Sequence, residues 1–257
     1  MGCVFLTANN ICVSARDLAY HVRMIDRLND LFAETGLFVR AGFHPVPEDD
    51  VPAMPDGTAA GTVVLIGNAG TDMWDAFGST RDHAAPDQDV RHPLDSWLRP
   101  RIEAVALAAG GHPVFPNGGP PFVPIQNWAA RAEPVYRSPI GIMIHPDFGL
   151  WHVYRAALLF ADRIELPPRD ARPSPCDTCT RKPCLSVCPA DAFLPDRFDA
   201  PACAAHVESA AGANCRERGC LARRACPVGR DFLYGREQQK FHTAAMLAAV
   251  KRGYGAT

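Results

Sequence analysis

No stretch of about 18 consecutive apolar residues occurs in the 257-residue chain, which excludes a membrane-spanning helix and any membrane partner that would need one. Charge of one sign is not in excess either. Lys and Arg number 26 against 28 Asp and Glu, a formal charge of −2, so no global basic field draws nucleic acid and none is expected as a partner. The opening Met1-Gly2-Cys3-Val4-Phe5-Leu6 lacks the basic start, long apolar centre and small-residue cleavage site of a secretory signal, and Leu6 sits where a myristoylation site wants Ser or Thr. The expected location is the cytoplasm. Residues 1–170 show no internal repeat, and 47% hydrophobic with 21% charged residues excludes a fibrous or wholly disordered chain. What the chain does have is cysteine. Of ten, eight fall between Cys176 and Cys226, and in a reducing compartment such clustering points to metal ligation rather than disulfides. Cys3 and Cys12 stand alone and read as incidental.

From Ser14 to Gly36 the apolar set Leu18, Val22, Ile25, Leu28, Leu31 and Phe32 recurs mostly every three or four positions, predicting an amphipathic helix ended by Gly36. Leu37 to Phe43 reads as a strand, Pro45 to Gly57 as a loop, and Gly61-Thr-Val-Val-Leu-Ile-Gly67 as a buried strand. A helix through Met73, Trp74 and Phe77 follows, then a polar loop from Gly78 to Arg91 and a second helix from Pro93 to Ala109. Gly118-Gly-Pro-Pro121 must be irregular, because adjacent glycines and prolines sustain neither ladder. Ile140 to Ile144 and Ala156 to Phe160 are strand-like runs on either side of His145 to Arg155. After Glu165 the composition changes, and Leu166 to Pro175 reads as a proline-rich, extended linker. The expectation is an α+β domain over residues 1–170 and a smaller cysteine-bearing domain with a C-terminal helix over 171–257.

The first cysteine run is Cys176-x2-Cys179-x4-Cys184-x3-Cys188-Pro189; the second is Cys203, then Cys215-x4-Cys220-x5-Cys226-Pro227. Eight thiolates are what two cubane [4Fe-4S] clusters need, and in two-cluster ferredoxins the cysteine before proline ligates the other run's cluster. On that pattern Cys176, Cys179, Cys184 and Cys226 hold one cluster and Cys188, Cys203, Cys215 and Cys220 the other. The x4 and x5 spacings depart from the standard x2 and x3. Two structural zincs are the alternative, although only one CxxC pair is present. Arg216, Arg218, Arg223 and Arg224 would offset anionic clusters, or else form a solvated face.

Between these regions lies His145-Pro-Asp-Phe-Gly-Leu-Trp151, continued to Arg155 and preceded by Gly141-Ile-Met-Ile144. This segment resembles the HPxFGxW…R segment of the CblC family of cobalamin-processing proteins, and Val63 to Ile66 with Ala69 to Phe77 are similar to that family's strand and helix before the corrin site. The resemblance spans roughly residues 60–168. It implies a nitroreductase-like antiparallel sheet with flanking helices, and cobalamin as cofactor. The cysteine module resembles the two-cluster, ferredoxin-like part of epoxyqueuosine reductase, including a lone cysteine between the runs, here Cys203. The sequence departs from that enzyme near Asn117-Gly-Gly-Pro-Pro121, where its proton-donating carboxylate should lie and none is present.

Read as residues, Gly149 permits close backbone approach, Phe148 and Trp151 offer flat faces to a large ring or fill a core, and Arg155 is suited to hold a carboxylate, amide or thiol substrate; the resemblance implies that it positions the cobalt's ligand or a thiol co-substrate. His145 is either a cobalt ligand or a hydrogen-bonded structural residue, and Pro121 and Phe122 are candidates to line the same cavity. His145 and Arg155 are the candidate catalytic residues. The combined reading is an iron-sulfur oxidoreductase that binds cobalamin and removes the cobalt's upper ligand reductively, by decyanation or dealkylation. Its clusters would be charged by a low-potential donor such as flavodoxin or a flavin reductase. Two other readings stay open: a corrinoid-dependent reductase of a small organic substrate, and a plain electron-transfer ferredoxin. Anaerobic analysis of the purified chain is expected to find about eight iron and about eight sulfide, as two cubanes require; zinc without sulfide would sink the cluster assignment.

Overall fold

The computed structural model describes residues 3–5, 12–80 and 92–254. The chain divides into two compact units, the first formed by Met1–Asn68, Asp72–Glu133 and Val153–Asp170, the second by Ala69–Thr71, Pro134–His152 and Ala171–Thr257. One cut falls at the expected 170/171 boundary, but residues 69–71 and 134–152 group with the cysteine-bearing part rather than with the first 170 residues.

The first unit opens with β1 (Cys3–Phe5) antiparallel to β2 (Cys12–Ser14), followed by α1 (Ala15–Phe32). Met24, Leu28 and Phe32 are buried along one stripe of α1, whereas Leu31, counted with that stripe in the sequence, is 39% exposed. The helix tightens into a 3-10 turn and stops at Gly36, which takes φ 66°. A Cβ there would stand 2.3 Å from the Met73 backbone nitrogen, so no other residue fits. Next come β3 (Phe38–Phe43) and β4 (Thr62–Ala69), antiparallel with a register shift between Val39 and Ala41. Every residue of β4 is buried, as its unbroken apolar run demands of a central strand.

Then follows α2 (Asp72–Thr80), three residues longer than its apolar pattern indicated, because the Ser79 and Thr80 hydroxyls donate back to the Ala76 carbonyl and carry the turn onward. The rest of the expected loop, 81–91, lies outside the described residues. The second helix, α3 (Pro93–Ala109), begins and ends where its signals lie: Pro93 needs no hydrogen-bond acceptor in the first turn, and Gly110 caps at φ 73°. After β5 (His112–Val114), the Gly118 to Pro121 loop and α4 (Ile125–Ala132), the chain forms β6 (Tyr136–Arg137) and β7 (Met143–Ile144) in the second unit, then β8 (His152–Phe160). The sheet order is β3-β4-β8-β5, with β5 antiparallel to β8. Gly61 meets Ala161 while Gly67 meets Val153, so β4 and β8 are antiparallel as well. Helices α1 and α4 pack on β3 and α3 on β5, giving an α+β antiparallel sheet with flanking helices.

The strand expected over Ile140 to Ile144 is mostly a turn. Gly141 takes φ 79°, its N–H donates to the Ser138 carbonyl at 2.9 Å, and only Met143 and Ile144 reach the ladder with β6. The strand expected over Ala156 to Phe160 starts earlier, at His152. Among the described residues of 171–254 the regular elements are helical: α5 (Pro183–Ser186), α6 (Ala200–Glu208), α7 (Ala213–Arg218), α8 (Leu221–Arg224) and α9 (Arg236–Tyr254), besides short 3-10 turns. Asp199 caps α6 by accepting from the Ala202 N–H at 2.9 Å. No helix among the described residues is long and apolar enough to cross a membrane.

At the heart of the first unit Glu133 faces Arg40 at 3.1 Å and accepts the Tyr154 hydroxyl, with the Arg40 guanidinium 4.9 Å from the Tyr154 ring centre. The Arg40 side chain is fully buried. Removing the charge that faces it, by Glu133→Gln, is expected to cost about 3–5 kcal/mol of stability, as broken buried ion pairs do. Urea unfolding checks this, and a loss below about 1 kcal/mol would mean the pair carries little of the fold.

Candidate functional site

The eight clustered cysteines are free thiols held in the second unit, and they gather into two sets. Cys176, Cys179, Cys184 and Cys226 border one small cavity of about 20 Å3, whose wall includes Ile140, Ile144 and Leu150. Cys188, Cys203, Cys215 and Cys220 border another of about 430 Å3, with Phe193, Phe198 and Met246 on its wall. Each set draws on both sequence runs. Electrostatics divides them the same way. Burial, the largest cause throughout, pushes the Cys176, Cys184 and Cys226 thiols up, and charge on fellow members of that set pushes them further. Burial likewise raises Cys220 and takes Cys203 to about 11, each with added repulsion from Cys188 and Cys215. Unliganded, these thiols are neutral at neutral pH, so a ligand that binds thiolates must displace protons. No group of three or more His, Cys, Asp or Glu among the described residues converges on a point that would hold a single metal ion.

The HPDFGLW segment also sits in the second unit. His145 is 5% exposed, and its backbone exchanges both hydrogen bonds with Gly149 at 2.9 Å. Its Nδ1 accepts the Asp147 N–H at 3.0 Å. That bond assigns the ring proton of a neutral imidazole to Nε2, and a protonated nitrogen has no lone pair for a metal. Phe148 stacks on the imidazole at 4.6 Å and meets Phe232 edge-on at 4.9 Å. Trp151 is 1% exposed, edge-on to Tyr234 at 5.3 Å and covered by the Arg223 guanidinium at 4.5 Å. Arg223, counted in the sequence among charges on a face or beside the clusters, turns inward and donates Nε to the Leu150 carbonyl at 3.1 Å. Tyr234, which lies in no motif, is the residue the sequence did not single out; Arg223, inside the second cysteine run, stood out there only as charge.

Gly149 does allow close approach, but to its own unit's chain. It takes φ 56°, and a Cβ would stand 2.1 Å from the Val228 carbonyl oxygen; Gly229, at φ 69°, would place one 2.3 Å from the Phe148 carbonyl carbon. Two glycines thus let the HPDFGLW loop and the stretch after Cys226-Pro227 touch backbone to backbone.

The remaining candidates lie in the first unit. Arg155 donates Nε to Asn68 Oδ1 at 2.9 Å on the central sheet. Pro121 is exposed, and Phe122 is 66% exposed, an aromatic face open to solvent. Near that segment, Asp95 Oδ2 on α3 accepts from Asn117 Nδ2 at 2.9 Å. Sequence spacing gives no sign of that pairing, which spans 22 positions.

No protein-family model matches the chain, and no curated protein does. Among solved structures, the C. elegans B12-trafficking protein CblC, a homologue of human MMACHC, matches with a TM-score of 0.52 at 16% identity, over 91% of this chain and 96% of its own. The architecture is therefore of the CblC kind. Epoxyqueuosine reductase matches with a TM-score of 0.46 at 14% identity in two structures. One, with an epoxyqueuosine-modified tRNA stem loop, matches over 84% of this chain and 67% of its own; the other, selenomethionine-labelled, over 86% and 69%.

The glycine contact yields a direct test. Gly149→Ala and Gly229→Ala are each expected to cost at least about 1–3 kcal/mol from backbone strain, with the clash added. Gly78→Ala, which meets nothing within 4 Å in α2, should be neutral or mildly stabilising. Equal urea midpoints for all three would refute the contact.

Proposed function

We propose that the chain is a corrinoid-binding iron-sulfur oxidoreductase that processes the corrinoid reductively, by removing the cobalt's upper ligand. The observation that carries this reading is the sorting of eight free thiols, each buried or half-buried, into two sets of four drawn from both runs. A single zinc needs its four sulfurs about 2.3 Å from one point, whereas a cubane offers a separate iron to each sulfur and so takes a wider set. The donor chemistry and the spread of the thiols fit the second. Cys176, Cys179, Cys184 and Cys226 would hold one [4Fe-4S] cluster, and Cys188, Cys203, Cys215 and Cys220 its neighbour, in a ferredoxin-like module over 171–257. When bound, such clusters supply single electrons, and the corrinoid supplies a reducible cobalt.

The chain's own residues do the rest. Ile140, Ile144 and Leu150 keep water from the first set, which favours thiolate ligation over hydrolysis. Arg155, held by Asn68, would position the cobalt's ligand or a thiol co-substrate, and Pro121 with the exposed Phe122 would offer apolar surface to a large flat ring. His145 is assigned a structural part, because its Nδ1 is engaged inside its own loop. Domain 1–170 would supply the corrinoid surface, while the HPDFGLW segment takes its packing partners from the cysteine-bearing unit. The CblC-like fold supports this reading. The second reading, a corrinoid-dependent reductase of a small organic substrate, is favoured by one observation: Asp95 beside Asn117 is a carboxylate where proton donation would need one. A low-potential carrier such as flavodoxin or a flavin reductase remains the expected donor.

The test uses the anaerobically purified full chain with cobalamin. Spectra should shift on binding. Cys184→Ala should halve the iron from about eight to about four, leaving the Cys188 set intact, and slow decyanation or dealkylation under a low-potential reductant. Cys226→Ala should damage the same cluster as Cys184→Ala, and Cys188→Ala the other. Arg155→Ala should keep full iron yet turn over slowly. A Cys184→Ala protein as fast as the parent would overturn the cluster-driven reading.

A further inference from the structure

The cysteine-bearing unit has a concave surface that the foregoing does not use. It is a cleft of about 770 Å3 bordered by α7, α8, the Arg230–Phe232 turn and the start of α9. That size lies within the range of small-molecule sites, roughly 300–1,000 Å3. Four guanidinium groups line it, from Arg218, Arg224, Arg230 and Arg236, and no lysine does. The carboxylate on its wall, Glu217, is already engaged by Lys240 at 2.8 Å and Arg216 at 3.7 Å; the Lys240 ammonium, with Arg216 and Arg236 behind it, holds that carboxyl below the ordinary range.

Arg218, Arg224 and Arg230 form no ion pair with any described carboxylate. Neutral groups hold two of them in place. Arg224 Nη2 donates to Asn214 Oδ1, and Arg230 Nη1 donates to the Arg224 carbonyl at 2.8 Å. The buried Nε of Arg224 has no hydrogen-bond partner among the described residues. In a chain of net charge −2, this concentration of positive charge is local rather than general.

Crowding like charges onto one concave wall is unfavourable unless an anion joins them. The exclusive use of arginine narrows the anion. A lysine is a point charge that suits a diffuse field, whereas guanidinium is a planar fork that meets two oxygens of a phosphate at once. Four forks around one cleft offer more donors than a single phosphate engages. We propose that this cleft binds a small ligand through a pyrophosphate group, the chemistry shared by inorganic pyrophosphate, nucleoside diphosphates and dinucleotide cofactors. No cysteine lines the cleft, although the Arg230 charge acts on the nearby Cys226 thiol.

Calorimetric titration of the full chain at constant ionic strength, with orthophosphate, inorganic pyrophosphate, ADP and NAD as probes, tests this. At least one pyrophosphate-bearing probe should bind about tenfold or more tightly than orthophosphate, and the probe that binds best identifies the source. Arg218→Gln and Arg236→Gln should each weaken that binding about tenfold, the loss of one charge-assisted contact. Arg218→Lys should recover only part of it, and Arg197→Gln, on an exposed arginine paired with Asp196 outside the cleft, should change nothing. Unchanged circular dichroism separates lost binding from lost folding. The proposal is overturned if orthophosphate and pyrophosphate bind alike, if the Arg218 and Arg236 variants bind as the parent does, or if a short RNA with the same number of phosphates displaces pyrophosphate, which would make the cleft a nucleic-acid surface.

Discussion

The backbone contact between Gly149 and the Val228 to Gly229 stretch is the constraint on which the second unit depends. Both glycines sit at positive φ, and the Val228 carbonyl and the Phe148 carbonyl fill the spaces that side chains on Gly149 and Gly229 would need. Because no side chain separates them, two distant stretches of chain are locked in register at a distance that packing of ordinary residues cannot reach. The neighbours inherit their places from this lock. Phe148 is set against Phe232, Trp151 against Tyr234 and Arg223, and Cys226 is held three residues ahead of Gly229. Motif loop and last cysteine are one mechanical piece.

Crossed grouping of the thiols adds a second tie. A set made from one run would need only local turns, whereas Cys226 joins Cys176 from 50 positions away and Cys188 joins Cys215 and Cys220 across α6. Closing such loops costs entropy that grows slowly with length, so distant ligands are affordable once the intervening helices are capped and packed. Asp199 at the start of α6 and Gly219 after α7, whose N–H donates to the Cys215 carbonyl at 3.0 Å, supply that order. Desolvation then makes Cys176, Cys184, Cys203, Cys220 and Cys226 reluctant to ionise alone, so both sets are poised for partners that accept thiolates together.

What was legible in the sequence follows from where each constraint lies. Local signals were read well: Pro93 and Gly110 bracket α3, Gly36 stops α1, and the apolar run of β4 announces a strand buried on both faces. Two sets of four thiols can be read from the sequence because cysteine spacing next to Cys-Pro carries ligand chemistry within short stretches. Longer-range facts left no trace. Ile140 to Ile144 has strand composition, yet Gly141 turns it, since these residues pack on Ala222 and Cys226 rather than on a sheet. Arg223 looks like surface charge until Trp151 and the Leu150 carbonyl are placed beside it. Asp95 is invisible as a partner of Asn117 because helix and loop meet only in three dimensions. Gly149 has the freedom its residue type indicates, and in the structure that freedom admits another piece of the chain.

The discontinuity of the second unit has a consequence for how the chain is made. Residues 145–151 leave the ribosome well before Arg223, Val228 and Tyr234 exist, and synthesis at about 5–20 residues per second puts that interval on the order of ten seconds. During it Trp151, bound for burial, lacks Arg223 and Tyr234, and Phe148 lacks Phe232. The nascent protein must therefore carry an adhesive loop while about 80 further residues are made, and its yield in a cell is set as much by what shields that loop in the interim as by the stability of the finished fold.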